Sequence, residues 1–90
     1  MEWTVYIIQC NDKSLYTGIT LDLNRRFKEH VTQGAQCAKY LRGKDPLLLV
    51  YQQKVNSKSE ALRLEGQIKK LSRSEKLKLI CLDAMIAKLD

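Results

Sequence analysis

Two short stretches near the N-terminus set the tightest limit on how this chain can fold. Residues 3–10, Trp-Thr-Val-Tyr-Ile-Ile-Gln-Cys, are mostly β-branched or aromatic. Residues 15–20, Leu-Tyr-Thr-Gly-Ile-Thr, resume that character after Asn11, Asp12, Lys13 and Ser14. Such side chains fit a pleated, half-buried surface, and Asn, Asp and Ser bend the chain by bonding to nearby backbone. The pair predicts an antiparallel hairpin. A three-residue loop, Asn11–Lys13, would set Ile8 opposite Tyr16 and Tyr6 opposite Gly18.

Helix signals follow. Asp22 can cap a helix running to about Val31, with Leu23, Phe27 and Val31 spaced to face a core and Gly34 ending it. Residues 35–45 form a connection rich in Lys and Arg, and Leu47–Val55, after Pro46, reads as a third strand. Ser57 with Glu60 makes a capping box for a helix over residues 58–71. Ser72 with Glu75 makes another, opening a C-terminal helix over residues 74–90. The order ββαβαα predicts an α/β fold of the α+β kind, a small three-stranded sheet flanked by helices, with residues 1–90 as one domain.

Composition removes several function classes. A chain that is 44% hydrophobic and 29% charged reads as soluble and globular. No apolar run approaches the roughly 20 residues that cross a bilayer, and the N-terminus lacks a signal-peptide pattern, so a cytoplasmic protein is expected. Cys10, Cys37 and Cys81 are scattered and there is a single histidine, which argues against both a disulfide framework and a structural zinc. The net charge of +6 and pI near 9.4 favour a polyanionic partner, although many basic proteins are merely soluble.

Three groups of residues carry chemistry. In the expected hairpin, Tyr6 and Tyr16 share one face as diagonal neighbours. Gly18 leaves space before the Tyr6 ring, and a glycine inside a strand often marks a close approach. Packing alone also pairs tyrosines in this way. Arg26 and His30 lie one helical turn apart, beside the apolar stripe. A cationic fork next to an imidazole suits a phosphate and a proton relay; a surface arginine and a hydrogen-bonded histidine fit equally well. In the second helix Glu65 falls within the stripe Ala61, Leu64, Ile68 and Leu71. A carboxylate aimed at a core is costly unless it is paired or binds metal. Metal ligation is the preferred reading, and a salt bridge to Arg26 its competitor.

These segments together resemble the GIY-YIG nuclease superfamily, in its small stand-alone bacterial branch. Thr4-Val5-Tyr6 and Tyr16-Thr17-Gly18 are similar to the two motifs that name it. Asn24–His30 is similar to its next block, and Ala61–Glu65 to the segment with its metal-binding glutamate. Residues 38–44 and 69–73 are similar to features of the small branch, so the resemblance spans roughly residues 3–82. It implies that Tyr6 and Tyr16 meet the reacting phosphate, Arg26 clamps it, His30 stands near the nucleophile, and Glu65 holds one divalent ion, Mg²⁺ or Mn²⁺. Thr4 and Thr17 depart from the motif glycine and isoleucine. Ile19 stands where some repair relatives carry a lysine, and the late asparagine of some restriction-enzyme relatives has no clear equivalent; these two bear on turnover more than on fold.

The expected function is metal-dependent hydrolysis of a DNA strand, at branched, nicked or damaged DNA in repair or recombination. The alternative is a nucleic-acid-binding module of the same fold that scarcely cuts. In either case Lys39, Arg42 and Lys44 around Tyr40 form a basic loop in which Tyr40 could stack on a base, and Lys69, Lys70 and Arg73 offer a second basic path. A protein–protein adaptor is a third class. In the C-terminal helix, Leu77, Ile80, Cys81 and Ala84 are expected to pack on the domain. Leu79, Leu82, Ile86 and Leu89 make a second face, fit for a two-fold homodimer or for a frayed terminus.

Overall fold

Strand β1, Trp3–Gln9, lies at the centre of a three-stranded antiparallel sheet of order β2-β1-β3, between β2, Leu15–Thr20, and β3, Leu48–Val55. The structure is a computed structural model that describes the backbone of residues 2–89 and the side chains of residues 2–84. Three α-helices complete it: α1, Leu23–Val31; α2, Lys58–Lys70; and α3, Arg73–Leu89. A short 3-10 turn, Lys39–Leu41, interrupts the connection between α1 and β3. The ββαβαα order and the α+β class are as the sequence predicts.

The composition of β1 reflects its central place. Residues Thr4–Ile8 are all buried, because helices or loops cover both faces of the sheet. On one face Tyr6, Ile8 and Cys10 pack with Cys37, Leu41 and Leu47, bordered by Leu23 and Phe27 of α1. On the other Val5 and Ile7 pack with Tyr51, with Ala61 and Ile68 of α2, and with Leu79 and Ile80 of α3. Full burial of an aliphatic side chain contributes about 1.5–3 kcal/mol, so this strand anchors both cores.

The hairpin has the expected register, Tyr6 opposite Gly18 and Ile8 opposite Tyr16. Its loop closes through Cys10 N–H to Ser14 O (2.9 Å) and Lys13 N–H to Cys10 O (2.9 Å), with Lys13 at φ +71°. That is a turn followed by one left-handed residue, a common three-residue hairpin connection. On the opposite edge of β1 the register with β3 shifts between Ile7 and Ile8, a bulge at Val50. The caps also form: Asp22 accepts from Arg25 N–H, Ser57 from Glu60 N–H, and Ser72 from Glu75 N–H.

Three local expectations are corrected. The buried stripe of α1 is Leu23, Phe27 and His30, with His30 fully enclosed and Val31 46% exposed. The helix is rotated by one residue because His30, not Val31, finds a polar partner on the sheet. Gly34 does not end α1. Thr32 is the C-cap and Gln33 takes the left-handed position at φ +59°. In α3 the partly covered positions are Lys76, Leu79, Ile80 and Asp83, a 3.6-residue stripe, while Leu77, Cys81, Leu82 and Ala84 are exposed. Leu79 is therefore packed against the sheet while Leu82 is exposed, so the face expected for a homodimer is already partly covered; the side chains of Ile86 and Leu89 lie outside the described residues.

A Cβ built on Gly18 would stand 2.6 Å from the Tyr6 hydroxyl and 2.7 Å from Cζ. Gly18→Ala must push the Tyr6 ring aside, so an overpacking cost of about 1–3 kcal/mol is expected in urea unfolding. An unchanged unfolding midpoint would contradict the packing described.

Candidate active site

Strand pleat and register bring the first two groups together. Tyr6 and Tyr16 lie on one face, with ring centroids 6.4 Å apart. Above them α1 lowers His30 onto the pair: its Nε2 is 3.0 Å from the Tyr6 hydroxyl, and its ring meets Tyr16 edge-on at 5.7 Å. The other ring nitrogen, Nδ1, receives the Ala38 backbone N–H at 3.5 Å. One turn earlier, Arg26 donates through Nη1 to Glu29 Oε1 (3.0 Å) and to Gln36 O (2.7 Å). Both bonds use one end of the fork, and the other donors suit an anion.

Burial dominates the electrostatics. It pushes the Tyr6 phenol up to about 12, the Tyr16 phenol and the Glu65 charge act in the same direction, and the nearby Arg26 guanidinium pulls against them. Burial also depresses His30 to about 4, with Arg26 adding to the effect and Glu29 opposing it. At neutral pH the cluster thus holds an un-ionised phenol and an uncharged imidazole.

Glu65 lies on α2, on the helix that contacts β2, with its side chain 19% exposed. Its partner is Lys69 at 3.5 Å, one turn later, and not Arg26 as the competing sequence reading had it. Among the described residues no three His, Cys, Asp or Glu side chains gather as a metal cage. A single covered carboxylate whose charge reaches the Tyr6 phenol nevertheless suits Mg²⁺ or Mn²⁺, since Mg²⁺ commonly keeps waters and takes one or two carboxylates.

The basic loop is divided. Tyr40, 46% exposed, stacks on Tyr16 with centroids 5.8 Å apart and planes at 26°. Lys44 Nζ sits 3.7 Å from the Tyr40 centroid and 3.7 Å from Asp12 Oδ2. Tyr40 and Lys44 therefore adjoin the tyrosine pair. Lys39 and Arg42 are exposed, Arg42 donating to Gly34 O at 3.2 Å, and Lys70 and Arg73 are exposed where α2 meets α3. A cleft of 420 Å³ opens beside Arg26, with Trp3, Ile19, Leu21, Arg25 and Glu29 in its walls. Sequence reasoning missed Glu29, although its place three residues after Arg26 signals the pair. It also missed Gln33, Gln36 and the Ala38 amide, for which no local pattern exists.

A family model described as the GIY-YIG catalytic domain matches residues 2–78, a span that includes all five clustered or neighbouring side chains from Tyr6 to Glu65. The chain belongs to the GIY-YIG family. A UPF0213 protein of Cronobacter sakazakii is 49% identical over 79 residues, 88% of this chain and 81% of that one. One from Vibrio cholerae is 47% identical over 89 residues, 98% of this chain and 86% of the relative. The solution structure of the UPF0213 protein from Bacillus halodurans superposes with a TM-score of 0.59 at 45% identity, covering 91% of this chain and 85% of that one. A protein of E. faecalis gives 0.61 at 29% identity, covering 91% and 86%. GIY-YIG is a nuclease family whose members generally use divalent metals. Among the described residues of this member, no helix is long and apolar enough to cross a membrane.

The buried, uncharged His30 makes stability depend on pH. Its folded pKa lies near 4, below the unfolded value near 6.5, so acid protonates the unfolded chain first. The contribution is complete above about pH 6.5 and is lost as pH falls toward 4. His30→Gln is expected to flatten the decline in the urea midpoint over this window. An NMR titration placing His30 near 6.5 would refute the assignment.

Proposed function

We propose that this GIY-YIG protein is a divalent-metal-dependent endonuclease that hydrolyses one strand of DNA. The observation that carries the reading is the buried Tyr6–His30 bond with Tyr16 alongside and the Arg26 fork one turn away. In this reading Arg26 holds the equatorial oxygens of a phosphate as negative charge builds on them. Tyr6, un-ionised at neutral pH, serves as a hydrogen-bond donor. Tyr16, less covered than Tyr6, orients the attacking water. A phosphorus–oxygen bond to water forms as the bond to the 3′ oxygen breaks; of the water's two protons one ends on the 3′ oxygen and the other leaves to solvent, giving 5′-phosphate and 3′-hydroxyl ends. Glu65 would hold Mg²⁺ or Mn²⁺, which supplies charge neutralisation at the phosphate and the leaving oxygen.

The second reading is a module that holds nucleic acid with little turnover. It draws support from the Tyr40 and Lys44 pair, which lies beside the site and combines an aromatic face with a cation. Mn²⁺-dependent nicking of branched or nicked DNA separates the two. Glu65→Gln is expected to abolish cleavage and to weaken Mn²⁺ binding in calorimetry while leaving the fold intact; equal Mn²⁺ affinity in both proteins would reduce Glu65 to the partner of Lys69. Arg26→Ala should lower the single-turnover rate by about 10²-fold with a much smaller loss of binding. A loss confined to binding would make Arg26 an ordinary phosphate contact.

The basic loop makes its own prediction. Neutralising Lys39, Arg42 and Lys44 together should weaken binding to any DNA sequence and flatten its salt dependence, by about 0.9 in log–log slope for each lost duplex phosphate contact. An unchanged slope would move the DNA path to Lys69, Lys70 and Arg73.

A further inference from the structure

Gln33 occupies a backbone position that suits glycine or asparagine better, at φ +59°. Its side chain explains what a glutamine does there. The amide Nε2 donates to His30 O (2.9 Å) and to Leu41 O (3.1 Å), and Oε1 accepts from Gly43 N–H (2.7 Å). One side chain thus ties the end of α1 to the segment that carries Ala38, Tyr40 and Lys44. The 3-10 turn in that segment, Lys39–Leu41, has Ala38 as its N-cap and no side-chain cap bond. The Ala38 N–H points instead at His30 Nδ1, 3.5 Å away.

We infer that Gln33 is a positioning residue that, through the Ala38 amide, fixes which nitrogen of His30 carries the proton. A backbone N–H can only donate, so Nδ1 facing it must offer a lone pair. An uncharged imidazole has one ring proton, which is then on Nε2. The Tyr6 oxygen, 3.0 Å from Nε2, must accept that hydrogen, and the phenol's own proton turns away from the histidine. In the other tautomer Nδ1–H would oppose the Ala38 N–H, and Tyr6 would give its proton to His30 and lose it as a donor. The clamp therefore decides whether Tyr6 can donate to a substrate phosphate. Its effect on rate rests on the nuclease reading; the tautomer itself does not.

His30 is the only histidine in the chain, so its ring nitrogens can be read without ambiguity in uniformly ¹⁵N-labelled protein. At pH 7 the wild type should show a protonated Nε2 and a bare Nδ1. Gln33→Gly keeps the left-handed backbone and removes the side-chain bonds to His30, Cys37, Leu41 and Gly43. It should move both nitrogen shifts toward the average of the two tautomers and slow single-turnover cleavage at saturating DNA about tenfold. Gln33→Asn, whose amide is one methylene shorter, carries the same expectation if the glycine variant does not fold. A wild-type ring protonated at Nδ1 would overturn the inference. So would an unchanged ring spectrum in a folded Gln33 variant. If the shifts move as expected while the wild type cuts no DNA, the positioning role stands and the nuclease reading falls.

Discussion

The Tyr6 ring lies across the place where Gly18 has no side chain, close enough that even a methyl group there would collide with it. Much else depends on this one contact. It holds the ring against β2, and in that orientation the hydroxyl meets His30. His30 in turn sets the rotation of α1, since its imidazole is the part of the helix most deeply enclosed. Helix rotation then determines that Arg26 comes near the phenol while Val31 is left outside. A sheet–helix interface usually rests on apolar packing, but here a polar bond fixes the phase of that packing.

This ordering explains what could be read from the sequence. The hairpin register follows from local facts, a side-chain period of two and a three-residue turn, and it was legible down to Tyr6 opposite Gly18. The caps at Asp22, Ser57 and Ser72 were legible because each is made within four residues. The phase of α1 was not, because hydropathy favours Val31 as the core residue and only the distant Tyr6 reveals why His30 displaces it. The end of the same helix was misread for a similar reason. Gly34 is the better left-handed residue, yet Gln33 is held there by bonds to Leu41 and Gly43, eight and ten residues away. In α3 two apolar faces were visible, but the covered stripe takes Ile80 from one and Leu79 from the other, a phase that the shape of the sheet sets and the hydropathy pattern does not show.

Charge near the site is arranged in pairs. Glu29 meets both Arg25 and Arg26, Lys44 meets Asp12, and Lys69 meets Glu65. Ion pairs this accessible contribute about 0–1 kcal/mol each, so they add little to the fold. Their effect is to hold cations in defined positions. Net charge alone therefore overstates how many cations are unengaged, since Arg26 beside Tyr6 and Lys44 beside Tyr40 are both paired.

The cluster also joins parts of the chain that lie far apart in sequence. Tyr6 and His30 are 24 residues apart, and the bond from the Asn11 side chain to Asp45 O, which ties the hairpin loop to the far end of the basic segment, spans 34. The hairpin beneath them closes over a few residues. Closing the longer loops costs chain entropy before any contact repays it. The phenol–imidazole bond therefore requires α1 to be docked on the hairpin, at the entropic cost of closing the 24 residues between its partners. A chain holding this bond has α1 and the hairpin joined over one face of its sheet, so the pair reports the packing of that face as a whole.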